Sequence, residues 1–215
     1  MNASTEKVLI AGSAGSIECA VDMPSLADPS ARVGTAVICH PHPQHGGTMD
    51  NKVVQTLARA FLQLGLRTVR FNFRGVGAST GVWDEGRGEL DDALQVISHF
   101  CGEAFEKQPP WVLSGFSFGA YIASQAAAQL SDHEKPKRMV LVGPSTQRQV
   151  MAAVPADTVV IHGEADDVVP LLATLDWARP QNLPVIVFPG VGHFFHGQLA
   201  RLRTVVVQQM QVIPP

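Results

Sequence analysis

The chain has 215 residues, a net charge of −3 at pH 7, 46% hydrophobic residues and 16% charged residues. This composition is that of an ordinary globular protein and excludes a disordered or fibrous chain. The length predicts one domain, residues 1–215, that buries about 70% of its unfolded surface. The weak negative charge and the single short basic cluster, at 135–138, argue against nucleic acid as the main partner.

The N-terminal sequence predicts neither export nor a membrane anchor. Residues 1–7 lack the basic segment of a signal peptide, and no apolar run approaches the roughly 20 residues that span a bilayer. The three cysteines, Cys19, Cys39 and Cys101, are widely spaced in apolar segments. They are interpreted as buried free thiols in a reducing compartment, so a cytoplasmic location is expected.

Apolar strands and amphipathic helices alternate through most of the chain. This pattern predicts an α/β fold with an eight-stranded, mostly parallel sheet that carries helices on both faces. Two N-terminal strands, near 8–11 and 17–21, are expected to form an antiparallel edge. The next predicted elements are a strand at 35–39, a helix that follows Asn51 and stops at Gly65, a strand at 68–73 and a helix at about 85–104.

The second half continues the alternation. It contains predicted strands at 111–114, 139–142, about 158–163 and 185–188, and Pro170 is expected at the first position of a helix. A C-terminal helix has Leu199, Leu202, Val206 and Met210 on one face. Only about fourteen residues separate the strand that ends near Gly143 from the one that begins near Thr158, which leaves no room for a helical cap.

A Gly-Phe-Ser-Phe-Gly segment at 115–119 carries the clearest chemical signal. It lies between the apolar strand and an alanine-rich helical stretch at 120–128. A nucleophilic serine on a sharp strand-to-helix turn has strained backbone geometry and needs small residues two positions away. Gly115 and Gly119 meet this requirement, so Ser117 is the predicted nucleophile.

Two further loops hold candidate partners for this serine. Asp166 follows the strand near 158–163, and His193 follows the strand at 185–188 and a Gly-rich loop. Both lie just past the carboxyl end of a predicted strand, where open α/β sheets gather their active sites. Glu164 and Asp167 compete with Asp166, and His196 competes with His193.

The order Ser, Asp, His along the chain is that of α/β-hydrolases. Together with the segments 40–49 (His-Pro-His-Pro-Gln-His-Gly-Gly-Thr-Met) and 72–79 (Asn-Phe-Arg-Gly-Val-Gly-Ala-Ser), these motifs resemble small, cap-less bacterial serine α/β-hydrolases, which are similar to dienelactone hydrolases. The resemblance covers roughly the whole chain. It implies esterase or thioesterase activity and does not fix a substrate. We expect a small-molecule ester or thioester as partner, no cofactor or metal, and a monomer or homodimer. Dienelactone hydrolase has cysteine where this chain has Ser117.

The resemblance also implies roles. His193, directly after the Gly-rich loop, is the expected base, and His196 belongs to the start of the last helix. Asp166, at the Gly-x-x-Asp position, is expected to orient His193 and to stabilise its cation. Asp167 is then a solvated loop carboxylate or a helix cap.

An oxyanion formed on the substrate needs two backbone donors. The N–H of Phe118, directly after the nucleophile, is the first. The second is expected from the loop after the third strand. Pro41 and Pro43 have no N–H, so His42 is the predicted donor and Gln44 the alternative. The His42 side chain either packs within this loop or contacts substrate.

The same loop allows a different hypothesis, because His40, His42 and His45 resemble the His-x-His-x-Asp-His pattern of zinc hydrolases. Gln44 replaces the aspartate there, and a neutral amide is a poor cation ligand. A metal-dependent protein, or a non-catalytic binding module on a hydrolase fold, is therefore the alternative function.

The segment 72–79 has Gly75-x-Gly77 after a strand, as nucleotide-binding loops do, but the third glycine of a dinucleotide fingerprint is replaced by Thr80. It is interpreted as a loop of the active site. Arg74 within it is expected to form a structural ion pair.

Overall fold

The computed structural model describes residues 5–25, 33–107 and 111–211, with the side chains of 103–107 left out. Within these ranges every helix is too short or too polar to cross a membrane. The expectation that there is no signal peptide rests largely on residues 1–4, which lie outside the described residues.

Eight strands form one sheet in the order β1-β2-β4-β3-β5-β6-β7-β8. The pairs β1–β2 and β2–β4 are antiparallel and the other five are parallel, which confirms the predicted mostly parallel sheet with an antiparallel N-terminal edge. The strands are β1 (Glu6–Gly12), β2 (Gly15–Asp22), β3 (Thr35–Cys39), β4 (Arg67–Phe71), β5 (Trp111–Phe116), β6 (Arg138–Val142), β7 (Val159–Gly163) and β8 (Val185–Phe188).

Helices cover both faces of this sheet. They are α1 (Lys52–Gln63), α2 (Arg87–Lys107), α3 (Phe118–Gln129), α4 (Leu171–Ala178) and α5 (Leu199–Gln211), with short 3₁₀ turns at Pro43–His45 and Arg179–Gln181. Neighbouring side chains of a strand point to opposite faces. Accordingly, Val37 and Cys39 of β3 pack with α2 and α3, whereas Ala36 and Ile38 pack with α1 and α5. The core is therefore split into two layers by the sheet.

Several predicted boundaries differ from the structure by a few residues, and three of the differences have a clear physical reason. Helix α2 begins at Arg87 instead of about 85, because Glu85 and Gly86 have φ of 54° and 93°, which a right-handed helix excludes. β4 ends at Phe71 instead of residue 73, since the Phe73 N–H donates to the His40 side chain. Pro170 is the cap before α4 instead of its first residue.

The connection from β6 to β7 contains turns and irregular backbone and no helix. The prediction that this connection carries no cap is therefore confirmed. It follows that the loops at the carboxyl ends of the strands are not covered by an inserted domain at this point of the chain.

Candidate active site

Ser117 lies on the turn between β5 and α3. Its backbone has φ of 56° and ψ of −119°, a conformation that costs free energy for a residue with a side chain. A Cβ on Gly115 would lie 2.2 Å from the Gly119 carbonyl oxygen, and a Cβ on Gly119 would lie 2.2 Å from that of Cys39. The two glycines are thus required by the close approach of backbone to backbone, as the sequence indicated.

The structure brings the three predicted site residues together. His193 Nε2 lies 3.0 Å from Ser117 Oγ, and His193 Nδ1 lies 2.6 Å from Asp166 Oδ2. All three side chains are buried, with 3% to 7% of each residue exposed. A neutral His193 that donates from Nδ1 to Asp166 has a free lone pair on Nε2, which accepts the Ser117 hydroxyl.

The Asp166 carboxylate is held from both sides. Oδ1 accepts the backbone N–H groups of Val168 and Val169 at 3.0 and 2.8 Å, while Oδ2 faces His193. Burial by itself would raise the pKa of Asp166, but the hydrogen bonds from His193 and Val169 outweigh it and leave the pKa below its ordinary value. The carboxylate is therefore charged at neutral pH, as a partner for an imidazolium must be.

The competing residues lie elsewhere. Glu164, Asp167 and His196 are exposed. Glu164 accepts the Gly190 N–H at 2.8 Å, and the His196 ring lies 5.8 Å from that of Phe194. The expectation that His196 starts the last helix is wrong, because a turn at residues 196–198 precedes α5.

The loop after β3 folds back on itself at His42. The His42 carbonyl accepts the N–H groups of His45 and Gly47, and His42 Nδ1 accepts the Gln44 N–H at 3.3 Å. Gln44, the alternative oxyanion donor, is therefore already engaged. No described residue accepts the His42 N–H, and the Phe118 N–H at the start of α3 lacks an intrahelical acceptor.

The His42 ring packs against aromatic neighbours. Its centroid lies 4.5 Å from that of Trp83 and 5.0 Å from that of Phe118. Burial, followed by the nearby charges of His45 and Arg148, lowers the pKa of His42. The first role left open by the sequence applies to this ring, since it accepts a loop hydrogen bond. The ring also lines a cavity, and its contact with substrate stays a prediction.

This cavity has a volume of about 390 Å³. It contains Ser117 and His193 and is bounded by the loops after β3, β6 and β7, and its lining includes His42, Asn51, Arg148 and Phe194. Since the nucleophile candidate opens into a space of small-molecule size, the arrangement is suited to covalent attack on a bound substrate.

Comparisons with known proteins agree with this geometry. The family model described as "Serine aminopeptidase, S33" matches residues 35–157. An α/β serine hydrolase without lid from Xanthomonas campestris is 35% identical, with 100% of this chain and 99% of that chain covered at a TM-score of 0.86. The chain belongs to the α/β serine hydrolase family.

Two other relatives are similar to this hydrolase. An α/β serine hydrolase homologue from Coxiella burnetii is 39% identical, with 95% of this chain and 97% of that chain covered at a TM-score of 0.82. An uncharacterized protein of Rickettsia prowazekii is 42% identical over 90 residues. That match spans 42% of the hydrolase and 37% of the curated relative's length.

The histidine cluster of the hydrolase does not form a metal site. His40 is buried, its Nδ1 donates to the Pro41 carbonyl at 2.6 Å, and its Nε2 accepts the Phe73 N–H at 3.0 Å. Both ring nitrogens are thus used, and burial lowers the pKa of His40 to about 4. In the described ranges, no three His, Cys, Asp or Glu side chains are arranged to hold a metal ion.

The loop at 72–79 is tied to the N-terminal edge of the sheet. Glu18 accepts the Ala78 N–H and the Asn72 amide, at 2.9 and 2.8 Å. Arg74 forms the expected structural ion pair, with Asp92 at 2.8 Å. No residue of 72–79 lines the cavity, so the interpretation as a loop of the active site is not borne out. Gly75 and Gly77 have φ of 73° and 57°, which the turns of this loop require.

Sequence reasoning missed Asn51, Ser145 and Arg148 as cavity residues, and it missed His162 beside Asp166. In the sequence Asn51 has the pattern of a helix cap, and the structure confirms that it caps α1. For Arg148 the sequence offered one indication: it lies in the connection that follows a predicted parallel strand, where open α/β sheets place their active-site loops.

Proposed function

We propose that this hydrolase cleaves carboxylic esters or thioesters through an acyl-enzyme on Ser117. The observation that carries the proposal is the continuous hydrogen-bond path from Ser117 through His193 to the charged Asp166. A serine hydroxyl is a poor nucleophile by itself and needs a base within hydrogen-bond reach.

In the first half of the reaction, His193 Nε2 takes the Ser117 proton as Oγ attacks the carbonyl carbon. The substrate oxygen becomes negatively charged, and the N–H groups of Phe118 and His42 are proposed to stabilise it. The imidazolium, stabilised by Asp166, then gives its proton to the departing alkoxide or thiolate. In the second half, His193 activates water, which releases the acid from Ser117.

The composition of the cavity favours an ester over a peptide with a free amino terminus. The matching family model is described as an aminopeptidase. A protonated amine is commonly recognised by a carboxylate, yet the described residues that line the cavity include no Asp or Glu and do include the cation Arg148. We therefore assign the hydrolase to esters or thioesters of small molecules, without a cofactor.

The buried thiols support a cytoplasmic location. Cys19, Cys39 and Cys101 are free and buried, and burial raises the pKa of Cys19 and of Cys101 to about 12. Such thiols are unreactive and suit a reducing compartment. We propose that the hydrolase acts there as a monomer or homodimer.

A fluorophosphonate probe tests the serine mechanism. The wild type should be labelled at Ser117, and Ser117→Ala should take up no label and lose turnover on a panel of acyl esters and acyl-CoAs. Ser114→Ala removes a hydroxyl on β5, the strand that precedes Ser117; this hydroxyl donates to the Val140 carbonyl, and the variant should keep the label. Label at another residue, or full turnover by Ser117→Ala, would refute the proposal. Chelator-sensitive turnover would instead support the metal alternative.

A further inference from the structure

Arg148 is a cation that lines the cavity, and no described carboxylate lies beside it. It lies on the exposed connection between β6 and β7. No carboxylate in the described part of the chain pairs with it. Five other arginines of the hydrolase do form ion pairs: Arg70, Arg74, Arg87, Arg138 and Arg179.

The remaining lining of the cavity reinforces this positive charge. Its described residues include no Asp or Glu, whereas His42, His45 and Asn51 add nitrogen donors. The chain as a whole has a net charge of −3, so the positive charge at the cavity is a local feature. Burial, followed by the neighbouring charges of His45 and Arg148, lowers the pKa of His42, which agrees with a guanidinium close to this part of the cavity.

We propose that Arg148 binds a carboxylate of the substrate, so that the hydrolase prefers esters with an anionic group in the acyl or the alcohol half. This inference rests on the proposed ester hydrolysis. A guanidinium offers two parallel N–H groups to a carboxylate, which orients the ligand as well as attracting it. The anion would take the place that an acidic side chain has beside the five paired arginines.

Matched pairs of esters test the inference. For the acyl half, the pair is 4-nitrophenyl hydrogen glutarate and neutral 4-nitrophenyl butanoate. For the alcohol half, it is 4-butanoyloxybenzoate and neutral phenyl butanoate. Arg148→Gln should lower kcat/KM for one of the two anionic esters about tenfold, as loss of a partly exposed charged hydrogen bond does, and leave the neutral esters within about twofold.

Arg203→Gln is the control, because it removes an equal charge from the exposed face of α5 and does not line the cavity. It should change none of the four rates. The pair that responds to Arg148→Gln tells which half of the substrate carries the anion. Equal rates of Arg148→Gln and wild type on both anionic esters, or an equal loss on anionic and neutral esters, would overturn the inference.

A binding measurement separates this inference from the proposed function. Ser117→Ala should bind the intact anionic ester about tenfold more tightly than Ser117→Ala/Arg148→Gln does. Wild type without activity on any ester would overturn the ester function, while this binding difference would still uphold the anion contact. Ester turnover that needs Ser117, together with equal binding by the two variants, would overturn the anion contact alone.

A second, independent observation concerns His162, which is buried on β7 behind Asp166. Its Nε2 lies 2.8 Å from the Val169 carbonyl oxygen and 3.3 Å from Asp166 Oδ2. Its Nδ1 lies 3.2 Å from the Thr174 hydroxyl, which in turn lies 3.1 Å from that of Thr146. Burial lowers the pKa of His162, so the ring is neutral and donates from Nε2.

We infer that His162 is a positioning residue for Asp166. It contacts the oxygen that faces His193, and it holds the carbonyl of Val169, whose N–H binds the other oxygen. The titratable and charged groups around His193 on neighbouring elements and loops are Asp166, His162, His42, His45, Arg148, Asp167 and His196.

The pH dependence of kcat/KM tests this role. Without the donor from His162, Asp166 attracts a proton on His193 more strongly, so the acid limb of the profile should move to higher pH in His162→Leu. His162→Gln keeps an N–H donor and should restore the wild-type limb. If His162→Leu loses thermal stability while the acid limb of its kcat/KM profile stays at the wild-type pH, His162 has only a structural role, and the inference is overturned.

Discussion

The cavity has two walls that are built differently. The triad wall consists of Ser117, Asp166 and His193, which are buried and joined by hydrogen bonds of 2.6 to 3.0 Å. The loop wall consists of His42, His45, Asn51 and Arg148, which are half-buried or exposed. Backbone packing thus fixes the groups that are proposed to react, and we expect the less constrained side chains to decide which molecules reach them.

The sharpest test of the triad wall is a pair of histidine variants. His193→Ala should lower turnover by roughly three or more orders of magnitude, because it removes the base. His196→Ala should cost little, since that side chain is exposed and lies outside the hydrogen-bond path. Single-turnover and steady-state rates on one activated ester measure both. An inactive His196→Ala beside an active His193→Ala would show that the wrong histidine has been assigned.

A pair of glycine variants compares the two walls by stability. A Cβ on Gly119, on the triad wall, meets the Cys39 backbone at 2.2 Å, whereas one on Gly46, on the loop wall, meets nothing within 4 Å. Gly119→Ala should therefore lower the free energy of unfolding by about 3 kcal/mol or more, or prevent folding. Gly46→Ala should cost about 1 kcal/mol, for the φ of 75° alone.

Urea denaturation of the two variants provides the measurement. Similar losses from Gly119→Ala and Gly46→Ala would show that the turn at Ser117 is no more constrained than the loop after β3.

The parts of this hydrolase that were predictable from sequence are those set by local chemistry. Thr35–Cys39 and Val185–Phe188 are continuous apolar runs, and their predicted bounds are those of β3 and β8. The start of α2 was missed because Glu85, a good helix former, has positive φ only through its tertiary setting.

The loop wall was the least predictable part of the site. Ser117, Asp166 and His193 occupy recognisable positions after strands, but Arg148 lies in an irregular connection without a motif. His162 forms part of a strand pattern, and only packing shows that its ring contacts Asp166. Contacts between distant segments leave no periodic trace in a sequence.

The loop wall should also be the part that responds to mild acid. His40, at its base, joins the loop after β3 to Phe73. Burial lowers the pKa of His40 to about 4, below the ordinary value of 6.5, so between these values the unfolded chain binds a proton that the folded protein does not. Stability should therefore fall as the pH drops from 6.5 towards 4, by about 3 kcal/mol from this residue.

Urea denaturation at pH 7 and at pH 4.5 measures this loss. His40→Gln should be less stable at pH 7 but lose less on acidification, whereas the exposed His99→Gln should keep the wild-type dependence. Burial also lowers the pKa of His162, which adds in the same direction and leaves a residual slope in His40→Gln. The Asp166 carboxylate, whose pKa is lowered, stabilises the fold above its unfolded pKa and loses that contribution only in stronger acid. A slope equal to the wild type's in His40→Gln would contradict the assignment.

The aggregation of substrate into micelles is expected to have the smallest effect on the rate of hydrolysis. The connection between β6 and β7 contains no helix that could cover Ser117, so no structural change should be needed before substrate enters. Neutral 4-nitrophenyl esters from acetate to long acyl chains should show no jump in rate at their micelle threshold, and bulky groups should be accepted. The open cavity offers few contacts that form only in the transition state, so discrimination among neutral esters should be weak.

A jump in rate at the threshold would mean that another segment acts as a lid, and the segment 81–84 is the first place to look. Val82 there is 77% exposed, while Trp83 packs on His42 and Phe118 at 4.5 and 5.2 Å between ring centroids. If that segment moved, Trp83 would leave both rings and its fluorescence would change with substrate binding. Val82→Asn would then weaken the jump by making the tip polar, whereas Val150→Asn, at an even more exposed site, would not. If the Trp83 fluorescence stays unchanged and the rate rises smoothly through the threshold, the loop wall does not move on substrate binding and the site is open.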